Sequence, residues 1–290
     1  MSLEHFVYTV LCRPAPIRWL VNQVILALLP TSVRIGRADI LLNPKDPVVS
    51  GALAFGVYEK GELNRFSEVI RPGMTVVDVG ANLGTYSAVA LDRLQGQGRL
   101  LAVEPARENF AWLKRNTRHN LGTMPANRVT LVRAALSDQR GWAVLHKNPT
   151  NKGDNRLYQD SLLPKQERVQ TTTLDFLCKK HGIDSIDVLK IDVQGLEVRV
   201  LRGAEKILKA SPRCHLFCEF WPDGMRKSGT GTEGFLRILK ANRFRLFEVA
   251  GKQLRPVSRA LAVRAIQGNQ YFNFYAYRQG NKPARTRRTE

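Results

Sequence analysis

The sequence is short of acids and has no paired cysteines. Its 290 residues carry 25 Asp and Glu against 45 Lys and Arg, a formal charge of +20. Such an excess favours an anionic partner such as nucleic acid, a phosphorylated glycan or an anionic membrane. It also fits a soluble protein with a basic tail. The four cysteines, Cys12, Cys178, Cys214 and Cys218, form no CxxC pair. Zinc-ligand spacing is therefore missing, and residues four apart on a strand are too distant for a disulfide. Buried reduced thiols of a cytoplasmic protein are expected. Long apolar runs are also missing. The strongest, WLVNQVILALLP at 19–30, is too short to span a bilayer and is interrupted by Asn22 and Gln23. It reads as an amphipathic helix, packed on the domain or lying against a membrane surface or partner groove. No HxxH, DxD or other metal-ligand set is evident, and no metal is expected.

The apolar fraction, 43%, suits a folded α/β chain. Residues 1–50 read as an extension of helix and short hairpin, with a turn at Asn43-Pro44 and a helix at 58–70 after it. From Met74 onward strands and helices alternate. Strands are expected at 75–79, 99–103, 129–134, 186–191, 215–220, 244–249 and 271–277. Helices are expected at 85–94, 106–120, 173–181, 197–208 and 232–242. Strands at 142–146 and 169–172 interrupt the alternation and flank a polar stretch without periodicity. This order predicts a doubly wound, mostly parallel sheet with an antiparallel edge hairpin. The basic end, 279–290, reads as a disordered tail.

In such a sheet the ligand sits beyond the carboxyl ends of the strands. The first strand there runs into VVDVGANLGTY, with Asp78, Gly80, Asn82, Gly84 and then Thr85 opening a helix. Asn82 stands where a dinucleotide fingerprint has its middle glycine, and no GK[ST] follows, so neither NAD nor a P-loop fits. An acid two residues before the first glycine suits S-adenosylmethionine. Its carboxylate orients backbone amides or meets an ammonium, while Asn82 reaches a carboxylate. The same glycines also serve a plain strand-to-helix turn. The second strand ends in Glu104-Pro105. A carboxylate there is placed for ribose hydroxyls, or for a helix N-terminus. Ala135, in the small-residue loop AALSD, suits an adenine edge or a simple turn.

The blocks VVDVGANLGTYS, AVEPARENFAWLKRN, GDNRLY, VLKIDVQGLEVRVLRGA and LFCEFWP, in this order, resemble the FkbM-type methyltransferases over about residues 51–277. The resemblance implies a class I methyltransferase, Rossmann-like fold spanning 51–278, with S-adenosylmethionine as cofactor. It also implies O-methylation of a hydroxyl on a glycan, glycolipid or natural product. The family segment KIDVEG reads KIDVQG here, so Gln194 supplies no acid at that place.

Transfer to an alcohol calls for a base and for positioning. Strand alternation puts Lys190 and Asp192 on one face at the end of the fourth strand, with Asp192 as base or hydroxyl acceptor and Lys190 as its electrostatic partner. Glu219, among Phe217, Phe220 and Trp221, is a second candidate acid, because an unused buried carboxylate is costly. Asp154, Asn155 and Arg156 of the polar loop, with Trp221 as a stacking surface, are candidate substrate contacts. Asp192 as a helix cap, Glu197 as a dipole acid, the loop as a surface turn and Trp221 as core are the plainer alternatives. His146 reads as a strand-end surface residue.

The charge keeps a nucleic-acid methyltransferase in view, but no [DN]PP[YF] turn or suitably placed cysteine is present, and the basic residues are not interleaved with aromatics. A small-molecule or glycan substrate is expected instead. The apolar helix and excess positive charge together suggest peripheral contact with an anionic membrane at its inner face.

Overall fold

The computed structural model describes residues 15–149, 151–159, 163, 165–251, 253–258 and 272–278. The tail at 279–290 and Cys12 lie outside them.

Residues Ala15–Leu28 form α1, one turn earlier than its apolar run begins. A hairpin follows, β1 (Ser32–Ile35) and β2 (Ala38–Leu41). It turns at Gly36, whose φ of +64° is the left-handed conformation, and the expected turn at Asn43-Pro44 follows it, where the Asp46 N–H donates to the Asn43 carbonyl at 3.1 Å. The expected helix at 58–70 stands as α3 (Lys60–Val69), and a short helix that was not expected, α2 (Val49–Ala54), precedes it. Next come β3 (Thr75–Val79), α4 (Thr85–Leu94), β4 (Arg99–Val103), α5 (Arg107–His119) and β5 (Val129–Val132). The polar stretch is framed by β6 (Ala135–Leu136), β7 (Gly141–Lys147) and β8 (Lys165–Thr172). After it lie α6 (Leu174–Lys180), β9 (Val188–Ile191), α7 (Glu197–Arg202), α8 (Glu205–Ala210) and β10 (His215–Phe220). The described chain ends with α9 (Pro222–Lys227), α10 (Thr232–Ala241), β11 (Phe244–Ala250), β12 (Gln253–Pro256) and β13 (Phe272–Arg278).

The fold is class I and Rossmann-like. Its main sheet has eight strands in the order β12-β11-β13-β10-β9-β3-β4-β5, with β10 through β5 parallel. The expected antiparallel edge is the pairing of β11 with β13, and β12, which was not expected, adds an outer antiparallel strand. The reversed β13 lies inside that edge, between β10 and β11. A small sheet, β6-β8-β7, carries the polar loop. The single helix expected at 197–208 breaks at Gly203, where a Cβ would lie 2.1 Å from the Ser137 carbonyl oxygen.

Alternation along the parallel strands sorts the core. Val77, Val79, Leu189 and Ile191 face one layer, with Leu174, Val198, Leu201 and Phe235. Val76, Val188 and Phe217 face the other, with Phe66, Tyr86, Val89 and Leu94. Ala38, Ile40 and Leu42 pack into that second layer, so the hairpin shares the core of the parallel sheet. By the same period of two, Asp78 and Lys190 face the second layer, side by side in the β3–β9 register. That layer brings α3 and the start of α4 over the two charges. Cys178, Cys214 and Cys218 are buried free thiols, and burial pushes Cys178 and Cys214 up to about 12, so they are unreactive.

Candidate active site

The carboxyl ends of β3, β4 and β9 open into a cleft of about 580 Å³, solvent mouth included. The wall includes Gly80, Asn82, Glu104, Ala135 and Asn155. Asp192 and Gln194 also line it. This is the switch point that the strand order predicts.

The glycine turn is shaped first by its own protein. Gly80 has φ +75°, and a Cβ there would stand 1.8 Å from the Asp192 carbonyl oxygen. Gly84 has φ +96°, and its Cβ would meet Leu113 of α5 at 2.9 Å. The two glycines therefore let β9 and α5 approach, and only Gly80 also lines the cleft. Between them Asn82 takes the left-handed conformation at φ +51°, which asparagine tolerates better than most residues. Thr85 is buried in the first turn of α4, away from the cleft wall.

Glu104 ties the turn to the second strand. Its Oε2 accepts from the Asn82 N–H and its Oε1 from the Ala106 N–H, both at 2.9 Å. Burial pushes its carboxyl up to about 7, against these two bonds. Asp78 lies behind the turn, fully buried, with Oδ2 accepting from the Ser87 hydroxyl at 2.7 Å. Asp78 Oδ1 and Asn82 Oδ1 are enclosed without a hydrogen-bond partner. Enclosed oxygens of this kind are costly unless a ligand satisfies them.

A second group of charges adjoins the cleft. Lys190 Nζ lies 3.3 Å from Asp192 Oδ2 and 4.6 Å above the Tyr86 ring. Gln194 Nε2 donates to Asp192 Oδ1 at 2.9 Å and to Glu219 Oε2 at 3.3 Å. The glutamine that departs from the family segment thus joins two acids, where a glutamate would repel both. Tyr86 donates its hydroxyl to Glu59 Oε2 at 2.6 Å. Glu59 precedes α3 in the left-handed conformation, φ +40°, a strained choice for glutamate. Glu62, one turn into α3, is buried, and its Oε2 has no partner.

Burial, then neighbouring acids, raise the carboxyls of Glu59, Glu62 and Glu219. Burial opposes the charge of Lys190, but Asp192, Asp78, Glu59 and Glu62 together outweigh it and hold the ammonium above its ordinary value. Glu59, Asp192 and Glu219 nevertheless keep partial exposure. They line a recess rather than the core.

The loop candidates are separated. Arg156 pairs with Asp154 through Nε–Oδ1 at 2.8 Å and Nη2–Oδ2 at 2.9 Å. Its guanidinium also lies 5.0 Å from the centre of the Trp221 ring, which Gly224 backs closely. Trp221 is therefore already in contact with a cation. Asn155 accepts from the Asn148 N–H at 3.1 Å and belongs to the cleft, while Asp154 does not. His146, expected at the surface, is buried, and its backbone bridges to Arg156.

Reading the residues in order missed Glu59, Glu62 and Tyr86, which reach the site from the opposite layer. It also missed Asn109 and Lys152 on the cleft wall, where Asn109 Nδ2 donates to the Lys152 carbonyl at 2.8 Å. The period-two alternation that turns Asp78 to this face is a signal in the sequence that bears on it; the left-handed backbone of Glu59 is visible only in the fold.

Glu197 does more than face a helix dipole. Its Oε1 accepts from the N–H groups of Val193 at 3.3 Å and Gly195 at 3.1 Å, bracing the loop that carries Asp192 and Gln194. Burial raises this carboxyl from 4.5 to about 7. The fold favours its protonated form, so stability from this group is present below about pH 4.5 and is lost as pH rises through about 7. Glu197→Gln, an imitation of the protonated acid, is expected to be more stable than wild type at pH 8 by up to about 3 kcal/mol, and little different at pH 4, as read from denaturant unfolding at the two pH values. Equal differences at both pH values would contradict this role.

The Methyltransferase FkbM domain model matches residues 78–246. The 2-O-methyltransferase NoeI of Sinorhizobium fredii is 29% identical over 155 residues, covering 48% of this chain and 60% of NoeI. The ribosomal RNA large subunit methyltransferase E of Methylobacillus flagellatus is 43% identical over only 54 residues, 19% of this chain and 26% of the relative. Methyltransferase FkbM of Methylobacillus flagellatus superposes with a TM-score of 0.46 at 14% identity, covering 90% of this chain and 59% of that one. The chain thus matches about 60% of NoeI's length, and its methyltransferase match takes in the glycine turn, Glu104, the polar loop, Asp192 and Glu219. The chain belongs to the FkbM methyltransferase family.

Proposed function

We propose that this chain is an S-adenosylmethionine-dependent O-methyltransferase acting on a hydroxyl of a carbohydrate, glycolipid or natural product. The observation that carries the reading is that the cleft and the acid recess meet at Asp192 and Gln194. The cofactor, when bound, supplies a methyl group on a cationic sulfur.

The protein's part follows from the side chains. Glu104 faces the cleft with acceptor capacity left on both oxygens, which suits ribose hydroxyls. Asn82 Oδ1 and Asp78 Oδ1, enclosed without partners, suit donors such as an ammonium. Gly80 brings the backbone to the wall, and Ala135 leaves room for a flat base edge. On the acceptor side Asp192 takes the hydroxyl hydrogen bond. Lys190 and Gln194 fix its carboxylate. The proton released passes to Asp192 or to Glu219, whose raised carboxyl holds it readily. Asp154, Asn155, Arg156 and Trp221 frame the loop side. The name of NoeI supports transfer to oxygen. A nucleic-acid substrate is disfavoured, because beside Glu59, Glu62, Asp192 and Glu219 the nearby cation, Lys190, is already held by Asp192 and offers little to a phosphate. Calorimetric titration with S-adenosylmethionine tests the reading. One-to-one binding is expected, and folded protein that binds none would remove it.

The proposed partner of α1 is an anionic bilayer surface. The helix packs inward through Asn22 and Ile25 and leaves Ile17, Leu20, Val24 and Leu28 exposed along one face. Between Glu4 and Asp39 the chain carries Arg13, Arg18, Arg34 and Arg37 and no acid, which complements anionic headgroups. No described helix is long and apolar enough to cross a membrane. The protein is expected to float with phosphatidylglycerol vesicles at low salt and not with phosphatidylcholine vesicles. A Leu20→Glu, Val24→Glu variant is expected to lose most of that binding. Wild-type protein that stays unbound would dismiss the contact.

A further inference from the structure

We propose that the acid recess takes its acceptor through a protonated amine, so that the substrate is an amino alcohol or amino sugar whose hydroxyl, not its nitrogen, is methylated. The inference rests on the methyl-transfer reading above and adds the class of molecule that fits.

Charge is the first ground. Glu59, Glu62, Asp78, Asp192 and Glu219 lie within electrostatic reach of one another, and Lys190 is the cation that acts on Glu59, Glu62, Asp78 and Glu219. Arg156, at the rim beside Trp221, is already paired bidentately with Asp154. A net positive donor in the adjoining cleft still leaves an excess of carboxyls.

The second ground is a missing partner. Glu62 is 6% exposed, and its Oε2 is enclosed without any hydrogen bond. Two of the neutral donors nearby are already spent, and the buried phenol of Tyr58, in the field of Glu59, Glu62 and Asp192, makes no hydrogen bond to Glu62 Oε2. The Gln194 amide serves Asp192 and Glu219, and the Tyr86 hydroxyl serves Glu59. The set is built to receive something that donates and is positive.

The third ground selects among cations. Among the described residues no three acids or other ligands converge on a point that a metal ion would occupy. Spread carboxyls suit an organic ammonium, which needs only one or two of them and brings three donors. Lys190 already shows such a group held here, against Asp192 and over the Tyr86 ring at 4.6 Å. A neutral polyol donates hydrogen bonds to the carboxyls but brings no charge that favours their ionised forms.

Placement follows. Glu59 is partly exposed and Glu62 lies deeper on α3, so the ammonium sits on Glu59 with Glu62 behind it. The hydroxyl then faces Asp192, where the recess meets the cleft. Held protonated, the nitrogen has no lone pair to attack with. The oxygen forms the new bond to the methyl carbon, the sulfur–carbon bond breaks with its electrons going to sulfur, and the hydroxyl proton goes to Asp192 or Glu219.

The test uses the full chain and matched probes: glucosamine against glucose and N-acetylglucosamine, and serinol against glycerol. Binding is followed by ligand-observed NMR, with and without saturating S-adenosylhomocysteine. Each amine is expected to bind at least tenfold more tightly than its neutral partners. Glu59→Gln and Glu62→Gln are expected to remove that preference in protein whose melt and S-adenosylhomocysteine affinity are kept. Neutral probes binding as well as the amines, or amines showing no excess, would overturn the inference. Failure of S-adenosylhomocysteine to bind overturns the donor reading instead, and the amine preference is still read without it.

Discussion

Gly80→Ala is expected to destabilise the protein by about 4 kcal/mol or more, near the upper end of single-residue effects. Two costs add. The residue sits at φ +75°, a conformation that costs a residue with a side chain about 1 kcal/mol or more. Its new methyl would also stand 1.8 Å from the Asp192 carbonyl oxygen, and backbone gives way only if β9 and β3 separate. Asp192 N–H donates to the Val79 carbonyl at 3.0 Å, so that separation also breaks a bond between the two strand ends. Gly73→Ala is the control: its φ is +88°, but nothing lies within 4 Å of the added carbon. About 1 kcal/mol is expected there. Thermal melts separate the two. At about 2–4 °C per kcal/mol for a chain of this size, Gly80→Ala is expected to melt about 10 °C lower than wild type. A loss no larger than that of Gly73→Ala would show that the strand ends yield freely.

Asp192→Asn is expected to lower methyl transfer by about a hundredfold to ten-thousandfold, the range for loss of a positioned proton acceptor. Asparagine keeps the size of the side chain and can still meet Lys190 through its carbonyl oxygen. It cannot take a proton, and its amide faces the Gln194 Nε2 donor if the oxygen turns to Lys190. Affinity for S-adenosylhomocysteine is expected to stay within about threefold, because that ligand lacks the methyl and the adenosine wall is untouched. The pair of readouts, label transfer to an accepted hydroxyl and calorimetric affinity, distinguishes an acceptor role from a structural one. Equal loss of both would make Asp192 a support of the cleft, and unchanged turnover would pass the role to Glu219.

Much of the frame was legible in the sequence. The strands at 75–79, 99–103 and 215–220 and the helix at 85–94 stand where the apolar pattern placed them. Their signals are local: alternating or continuous apolar runs, bounded by glycine or by a strand-end acid. Interactions from afar decided the rest. Gly203 ends a helix because the Ser137 carbonyl lies against it, 66 positions earlier in the chain. The short helix Pro222–Lys227 and the edge strand Gln253–Pro256 have too few residues for a period to show. The polar loop rests on β7 and β8, whose pairing no local pattern announces.

The site divides in the same way. Asp78, Gly80, Asn82, Glu104, Ala135 and Asp192 gather there because the parallel topology puts the carboxyl ends of β3, β4 and β9 side by side. Glu59, just before α3, and Glu62 within it stand more than a hundred residues before Lys190, and only the opposing layer brings them over it. The two glycines also changed meaning. Each is required by a neighbouring piece of backbone or side chain, so a glycine turn alone says less about a ligand than the acids beside it do.

The most direct measurement is a crystal structure of the full chain grown with S-adenosylhomocysteine. The ligand is expected in the cleft, with its ribose hydroxyls on Glu104, its amino acid end towards Asn82 and Asp78, and its sulfur turned to Asp192 and Gln194. A ligand bound elsewhere, or a sulfur facing away from the acid recess, would contradict it.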